Sequence, residues 1–205
     1  MRFREFEAKI KELHAFNLND VRKIDPDFHR QQLTYWHNQG YIKPLTGGYY
    51  ALWDKPTDEK YLFLVANKVY EPSYVSMESA LAYYEIIPET VLGVTSISSR
   101  KTKQYKSNWG VFSYRSIKPQ YMIGYQIIEY SPGYKFKIAS LEKAIVDYLY
   151  LNSDIHSIAD FEELRWNQAQ LHHLLDRSMY SKYINIYDKR ALESRIDTFE
   201  EFLNA

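Results

Sequence analysis

Apolar positions at the head of the chain recur with helical spacing, and Phe3, Phe6, Ile10 and Leu13 predict a first helix over residues 2–14. Leu18, Val21 and Ile24 predict a brief second helix, for which Asn19 is the expected cap. Asp25 and Pro26 fit the N-cap and first position of a third helix, because the carboxylate accepts an orphan backbone N–H and proline's fixed φ suits the first turn. That helix places Leu33 and Trp36 on one face and Gln31, Tyr35 and Asn38 on the other, and Gly40 ends it. Thr46, Gly47 and Gly48 then provide a turn between the strands Ile42–Leu45 and Tyr49–Leu52. Helix, helix, helix and hairpin is the order of a winged-helix domain, here residues 1–56, with the third helix as reader and the hairpin as wing.

A charged, proline-containing segment, Asp54–Lys60, is the expected connection to a second domain at residues 57–205. After it come an apolar stretch, Tyr61–Val69, and a helix capped by Ser76 with Met77, Ala80, Leu81 and Tyr84 on one side. Strands are expected at Val91–Ile97, Val111–Ile117, Met122–Glu129 and Tyr134–Ile138. Ser140 caps an amphipathic helix carrying Leu141, Ala144, Ile145, Tyr148 and Leu149. The remainder, Ile155–Leu203, reads as helical, with a last helix near Lys189–Leu203. The expected class is α+β: a winged helix-turn-helix domain, then a mixed α/β domain with a helical C-terminal part.

Charge alters this picture locally. The formal net charge is zero, yet residues 91–139 hold eight Lys or Arg against one acid, while residues 140–205 hold twelve acids against seven Lys or Arg. Residues 1–60 are balanced, with ten basic against nine acidic side chains, so the winged-helix segment lacks the positive footprint usual for DNA binding. The absence of cysteine excludes disulfides and thiolate chemistry and is compatible with a reducing cytosol. No apolar run approaches a membrane span, and a cytoplasmic protein with no membrane association is expected.

On the third helix, Gln31 and Gln32 are candidates for an adenine edge and Tyr35 for a phosphate or thymine methyl. His29, Arg30 and Lys43 flank that face as phosphate contacts, and Thr46 and Gly47 offer donors at the wing tip. Arg100, Lys101, Lys103 and Lys106, interleaved with Tyr105 and Trp109, are either a second phosphate-binding strip or a solvated loop. Glu142 suits a first helical turn, and Lys143 with Asp147 is an i, i+4 pair, so structure accounts for all three. Histidine spacing suggests no metal site, and no nucleotide-binding or hydrolase motif implies a cofactor or catalysis.

The blocks EPSYVSMESAL (Glu71–Leu81) and KIASLEKAIVDYLY (Lys137–Tyr150), together with GGYYAL at the end of the wing, resemble the AbiEi-type antitoxins of bacterial type IV toxin–antitoxin systems. The resemblance runs from about Phe16 to Tyr150. It implies an N-terminal domain that binds inverted operator repeats and autorepresses the operon. It also implies a C-terminal domain that opposes a nucleotidyltransferase-like toxin without a stable complex. Useful specificity needs two copies on repeated half-sites, so self-association on DNA is expected. The alternatives are a winged-helix regulator without a toxin, whose second domain senses a ligand in a Tyr-rich pocket, and a nuclease with carboxylates in an unfamiliar order.

Overall fold

The computed structural model describes residues 1–88, 93–187, 190 and 192–205, and shows an α+β chain organised around two hydrophobic cores. In the smaller core, α1 (Phe3–Ile10) buries Phe6 and Ile10. It stops short of the expected residue 14 because the chain turns back, the Leu13 N–H donating to Ile10 O at 2.7 Å. Helix α2 (Leu18–Ile24) is capped by Asn17 rather than Asn19: Asn17 Oδ1 accepts the N–H groups of Asn19 and Asp20, and the Asp20 carboxylate accepts from Asn17 N–H.

Asp25 does not open the third helix. Its N–H closes α2 on Val21 O, its carboxylate lies 3.4 Å from the N-terminal ammonium, and its carbonyl accepts from Phe28 N–H in a turn. That turn inserts Phe28 into the core, so α3 (Gln31–Asn38) begins later than the Asp-Pro pair suggests. Trp36 centres this core, with ring centroids 4.6 Å from Phe6, 5.3 Å from Phe3 and 5.1 Å from Phe28. The hairpin forms as expected: β1 (Ile42–Pro44) and β2 (Tyr50–Leu52) are antiparallel, and Phe16 adds an antiparallel bridge to Tyr50.

The larger core surrounds a six-stranded mixed sheet. The expected connection becomes helical at Glu59, where Asp58 caps α4 (Glu59–Val69) by accepting from Tyr61 N–H. The strands are β3 (Ser73–Val75), β4 (Gly93–Ser98), β5 (Lys103–Ser107), β6 (Gly110–Ser116), β7 (Tyr125–Ser131) and β8 (Tyr134–Ala139), in the order β5-β6-β4-β3-β8-β7. Val91 of the expected Val91–Ile97 strand lies outside the described residues. Strand β7 starts later than expected because Pro119–Tyr121 winds a 3-10 turn first. Strands β3 and β5 have no counterpart in the sequence reading: three residues are too few for periodicity, and Lys103–Ser107 is too polar.

Helix α4 covers one sheet face, where Tyr114 OH donates to Ala66 O and Phe63 packs on Phe136. On the other face lies α6 (Leu141–Leu151), Tyr74 reaching its Asp147, while α5 (Met77–Tyr83) packs against α6 and β4 and sets Tyr83 against Phe63 and Phe136. Helices α7 (Ile158–Glu163), α8 (Gln168–Leu174), α9 (Arg177–Ile186) and α10 (Glu193–Asn204) complete the acidic C-terminal part. Lys189, where the last helix was expected to begin, lies outside the described residues. Among the described residues, no helix is long and apolar enough to cross a membrane.

The cores meet without an open linker. Ala15, Leu45 and Ala51 of the N-terminal segment pack into the larger core, Tyr61 OH donates to His14 O at 2.6 Å, and the Tyr134 ring meets His14 edge-on. Burial, helped by the Lys55 charge, lowers the His14 pKa from 6.5 to about 4. Between those values the unfolded chain binds a proton that the folded chain refuses. The stability His14 confers is therefore present above pH 6.5 and is lost as pH falls towards about 4. His14→Gln should flatten this acid limb in thermal melts across the interval, and an unchanged limb would exclude His14 as its source.

Candidate nucleic-acid interface

The outward face of α3 is polar. Gln31, Thr34, Tyr35 and Asn38 are exposed, Tyr35 by 58%, and His29 and Arg30 stand exposed just before the helix. Gln32 departs from the expected grouping: it is half-buried, and its Oε1 is enclosed without a partner. Helical geometry explains the difference, since Gln32 precedes buried Leu33 and lies towards the inner edge of the exposed stripe.

The hairpin is docked on the six-stranded sheet. Trp109 Nε1–H donates to Pro44 O at 3.1 Å, and Lys43 Nζ donates to Lys55 O while lying 5.5 Å from the Trp109 ring centroid. Lys43 is 7% exposed, and burial lowers its pKa against the opposing pull of Asp54. Thr46 is buried as well, with a hydroxyl that has no partner. The expectation of Lys43 as a phosphate contact and Thr46 as a donor at the wing tip is therefore corrected: Lys43 is taken up in the joint between hairpin and sheet, and Thr46 is buried.

Gly47 sits at that joint with φ +58°, and a Cβ there would lie 2.8 Å from Val69 Cγ1 and 3.5 Å from Tyr105 Cε1. Gly48 has φ +81° with open space around it. Gly47→Ala should cost about 2–5 kcal/mol, about 1–2 from backbone strain and about 1–3 from overpacking against Val69. Gly48→Ala should cost only the backbone part, about 1–2 kcal/mol. Urea unfolding of the two variants measures the difference, and equal losses would show that the docked contact contributes nothing.

This docking brings the basic residues beside the hairpin. Strand β5 is an edge strand paired only with β6, and Arg100, Lys101, Lys103 and Lys106 are exposed along it or just before it. Tyr105 of the same strand faces Gly47, and Trp109 of the following turn holds Pro44. Arg100 is partly engaged, its guanidinium donating to Glu71 O at 2.9 Å and lying 4.1 Å over the Tyr70 ring. Lysines on an edge strand also deter pairing with another sheet, so their charge has a structural use beside any polyanion. Lys103 and Lys106 thus lie in a strand, and Arg100 and Lys101 in the segment that leads into it.

A polar feature of different character lies deep in the larger core, between the sheet and α6. The Asp147 carboxylate accepts from Lys143 Nζ, from Tyr187 OH at 2.5 Å, from Tyr74 OH at 2.9 Å and from Ser76 Oγ at 2.8 Å. Lys143 and Asp147 are both fully buried. Desolvation lowers the lysine pKa while the Asp147 charge opposes the shift, and burial beside that charge raises the phenols of Tyr74 and Tyr187. Ser76 occupies the N-cap position of α5, yet its hydroxyl makes no cap bond. Glu142 is likewise buried, where it accepts from Asp176 N–H at 3.1 Å.

Tyr74 and Ser76 come from the Glu71–Leu81 block and Lys143 and Asp147 from the Lys137–Tyr150 block, so two segments distant in sequence share one buried charge cluster. The expected i, i+4 pair of Lys143 and Asp147 forms, and it is buried; the sequence signal for that burial is the run of apolar residues around both along α6. Among the described residues, no group of three or more His, Asp and Glu is placed to hold a metal. No family model and no curated protein matches this chain.

Proposed function

We propose that this protein is a DNA-binding transcriptional autorepressor and the antitoxin of a type IV toxin–antitoxin system, opposing a nucleotidyltransferase-like toxin without a stable complex. In this reading residues 1–56 form a winged-helix domain. Gln31 and Tyr35 read base edges from α3, while His29 and Arg30 contact phosphates. The observation that carries the proposal is the seating of the hairpin on Tyr105 and Trp109, beside Arg100, Lys101, Lys103 and Lys106. A balanced N-terminal domain thereby acquires neighbouring positive charge from the sheet domain, which supplies the salt-dependent part of DNA affinity.

The test is a footprint of the full chain on DNA upstream of its own gene, combined with inspection of the neighbouring reading frame and co-expression of a nucleotidyltransferase-like protein if one is encoded there; absence of such a frame would leave only the transcription-factor part. Protection of an inverted repeat and relief of growth arrest are expected. Absence of any protected sequence would remove the repressor role. Unrelieved arrest would remove the antitoxin role while leaving a DNA-binding regulator.

A further inference from the structure

The two edges of the sheet are built differently. Strand β5 carries exposed Lys103 and Lys106, with Arg100 and Lys101 just before it, and such cations keep another strand from pairing there. Strand β7, at the opposite end, contains no cation, and its one acid, Glu129, lies 3.9 Å from Lys135 of β8. Ile127 is 61% exposed and Tyr125 39%. Among the described residues, the backbone of residues 125–129 bonds to β8 alone, so every second residue directs its N–H and C=O outward without a protein partner.

The regular part of this edge is short and has a defined centre. Gly124, with φ +71°, turns the chain into β7, and a bulge at Tyr130 breaks the register with β8 after Glu129. Residues 125–129 remain for straight pairing, with Ile127 in the middle. Tyr125, Ile127 and Glu129 share one sheet face, on which Ile127 stands opposite Lys137 and Glu129 opposite Lys135. The Tyr125 ring is stacked on Tyr74 with centroids 5.2 Å apart, and Lys137 Nζ lies 5.8 Å from the centre of the Tyr125 ring.

We propose that β7 is the interface of a homodimer, in which two copies of this chain pair antiparallel about a twofold axis through Ile127. The symmetry sets Ile127 against the partner's Ile127 and Glu129 against the partner's Tyr125. Each Glu129 carboxylate then accepts from the opposing phenol beside an ammonium group, the two isoleucines cover one another, and no like charges stand opposite. An acid at one end of the paired segment and a phenol with its lysine at the other exchange places under the twofold rotation, and this self-complementarity selects a second copy as the occupant. The pairing goes beyond the DNA-binding reading and does not rest on it, since it needs no nucleic acid.

Sedimentation of the full chain without DNA, from micromolar to sub-millimolar concentration, tests it. A monomer–dimer equilibrium is expected. Ile127→Lys opposes two ammonium groups on the axis and should raise the dimer dissociation constant at least about tenfold, while leaving the melting temperature of the monomer unchanged because the side chain is exposed. The chain has no cysteine, so single introduced thiols report the register. Ile127→Cys should cross-link two chains on mild oxidation, because opposed Cα atoms lie about 4.5–5.5 Å apart. Glu129→Cys sets its two thiols about 13 Å apart along the strands and should not. A monomer at every concentration, an unchanged dissociation constant in Ile127→Lys, or cross-linking of Glu129→Cys as readily as of Ile127→Cys would each overturn the proposal.

Discussion

Lys143→Met should destabilise the protein by about 3–5 kcal/mol in urea unfolding, the largest loss expected from a single change of charge. Methionine keeps the length and apolar stem of lysine, so the loss reports the charge and not a cavity. The variant leaves Asp147 fully buried with only the neutral donors Tyr74, Ser76 and Tyr187 against a formal negative charge. Asp147→Asn should be comparably severe, because it strands the ammonium and replaces an acceptor of four donors with a group that also donates. Combining Lys143→Met with Asp147→Leu removes both charges but leaves the hydroxyls of Tyr74, Ser76 and Tyr187 without their acceptor, so it should recover only part of the loss, and adding Tyr74→Phe, Ser76→Ala and Tyr187→Phe should recover more. A loss below about 1 kcal/mol for Lys143→Met would mean that the pair behaves as a solvated surface bridge.

Replacing Arg100, Lys101, Lys103 and Lys106 together by Ala should lower the slope of log affinity against log salt on operator DNA by about 2–3. Each phosphate neutralised contributes about 0.9 to that slope, and Arg100 contributes less than a full unit because Tyr70 and Glu71 already hold it. The corresponding affinity loss at low salt is on the order of a hundredfold or more. Gln31→Ala with Tyr35→Ala should act differently, relaxing preference for the operator over random DNA while leaving the slope nearly intact. An unchanged slope in the fourfold variant would assign the lysines of β5 to guarding the sheet edge alone.

Much of the architecture was legible because local patterns carry it. The helix–helix–helix–hairpin order, the strands around Val111–Ile117 and Tyr134–Ile138, and the Ser140-capped helix follow from periodicity and turn chemistry, and the structure contains each. Boundaries failed where a tertiary contact outweighed a local signal. Asp25-Pro26 has the residues of a helix start, but burying Phe28 against Trp36 favours a turn there. Ser76 has the residue of a cap, but Asp147 claims its hydroxyl.

The candidate interface divides along the same line. Sequence by itself determined the polar face of α3, the turn at Gly47 and Gly48, and the concentration of positive charge before Ser140, because each depends on neighbours a few residues apart. Only the tertiary structure decided that Lys43 and Thr46 are buried, that the hairpin rests on Trp109 and Tyr105, and that the basic residues line a sheet edge beside it. Pairing across 65 residues, as between Pro44 and Trp109, depends on which surfaces bury together, and that is a property of the folded whole which no local period encodes.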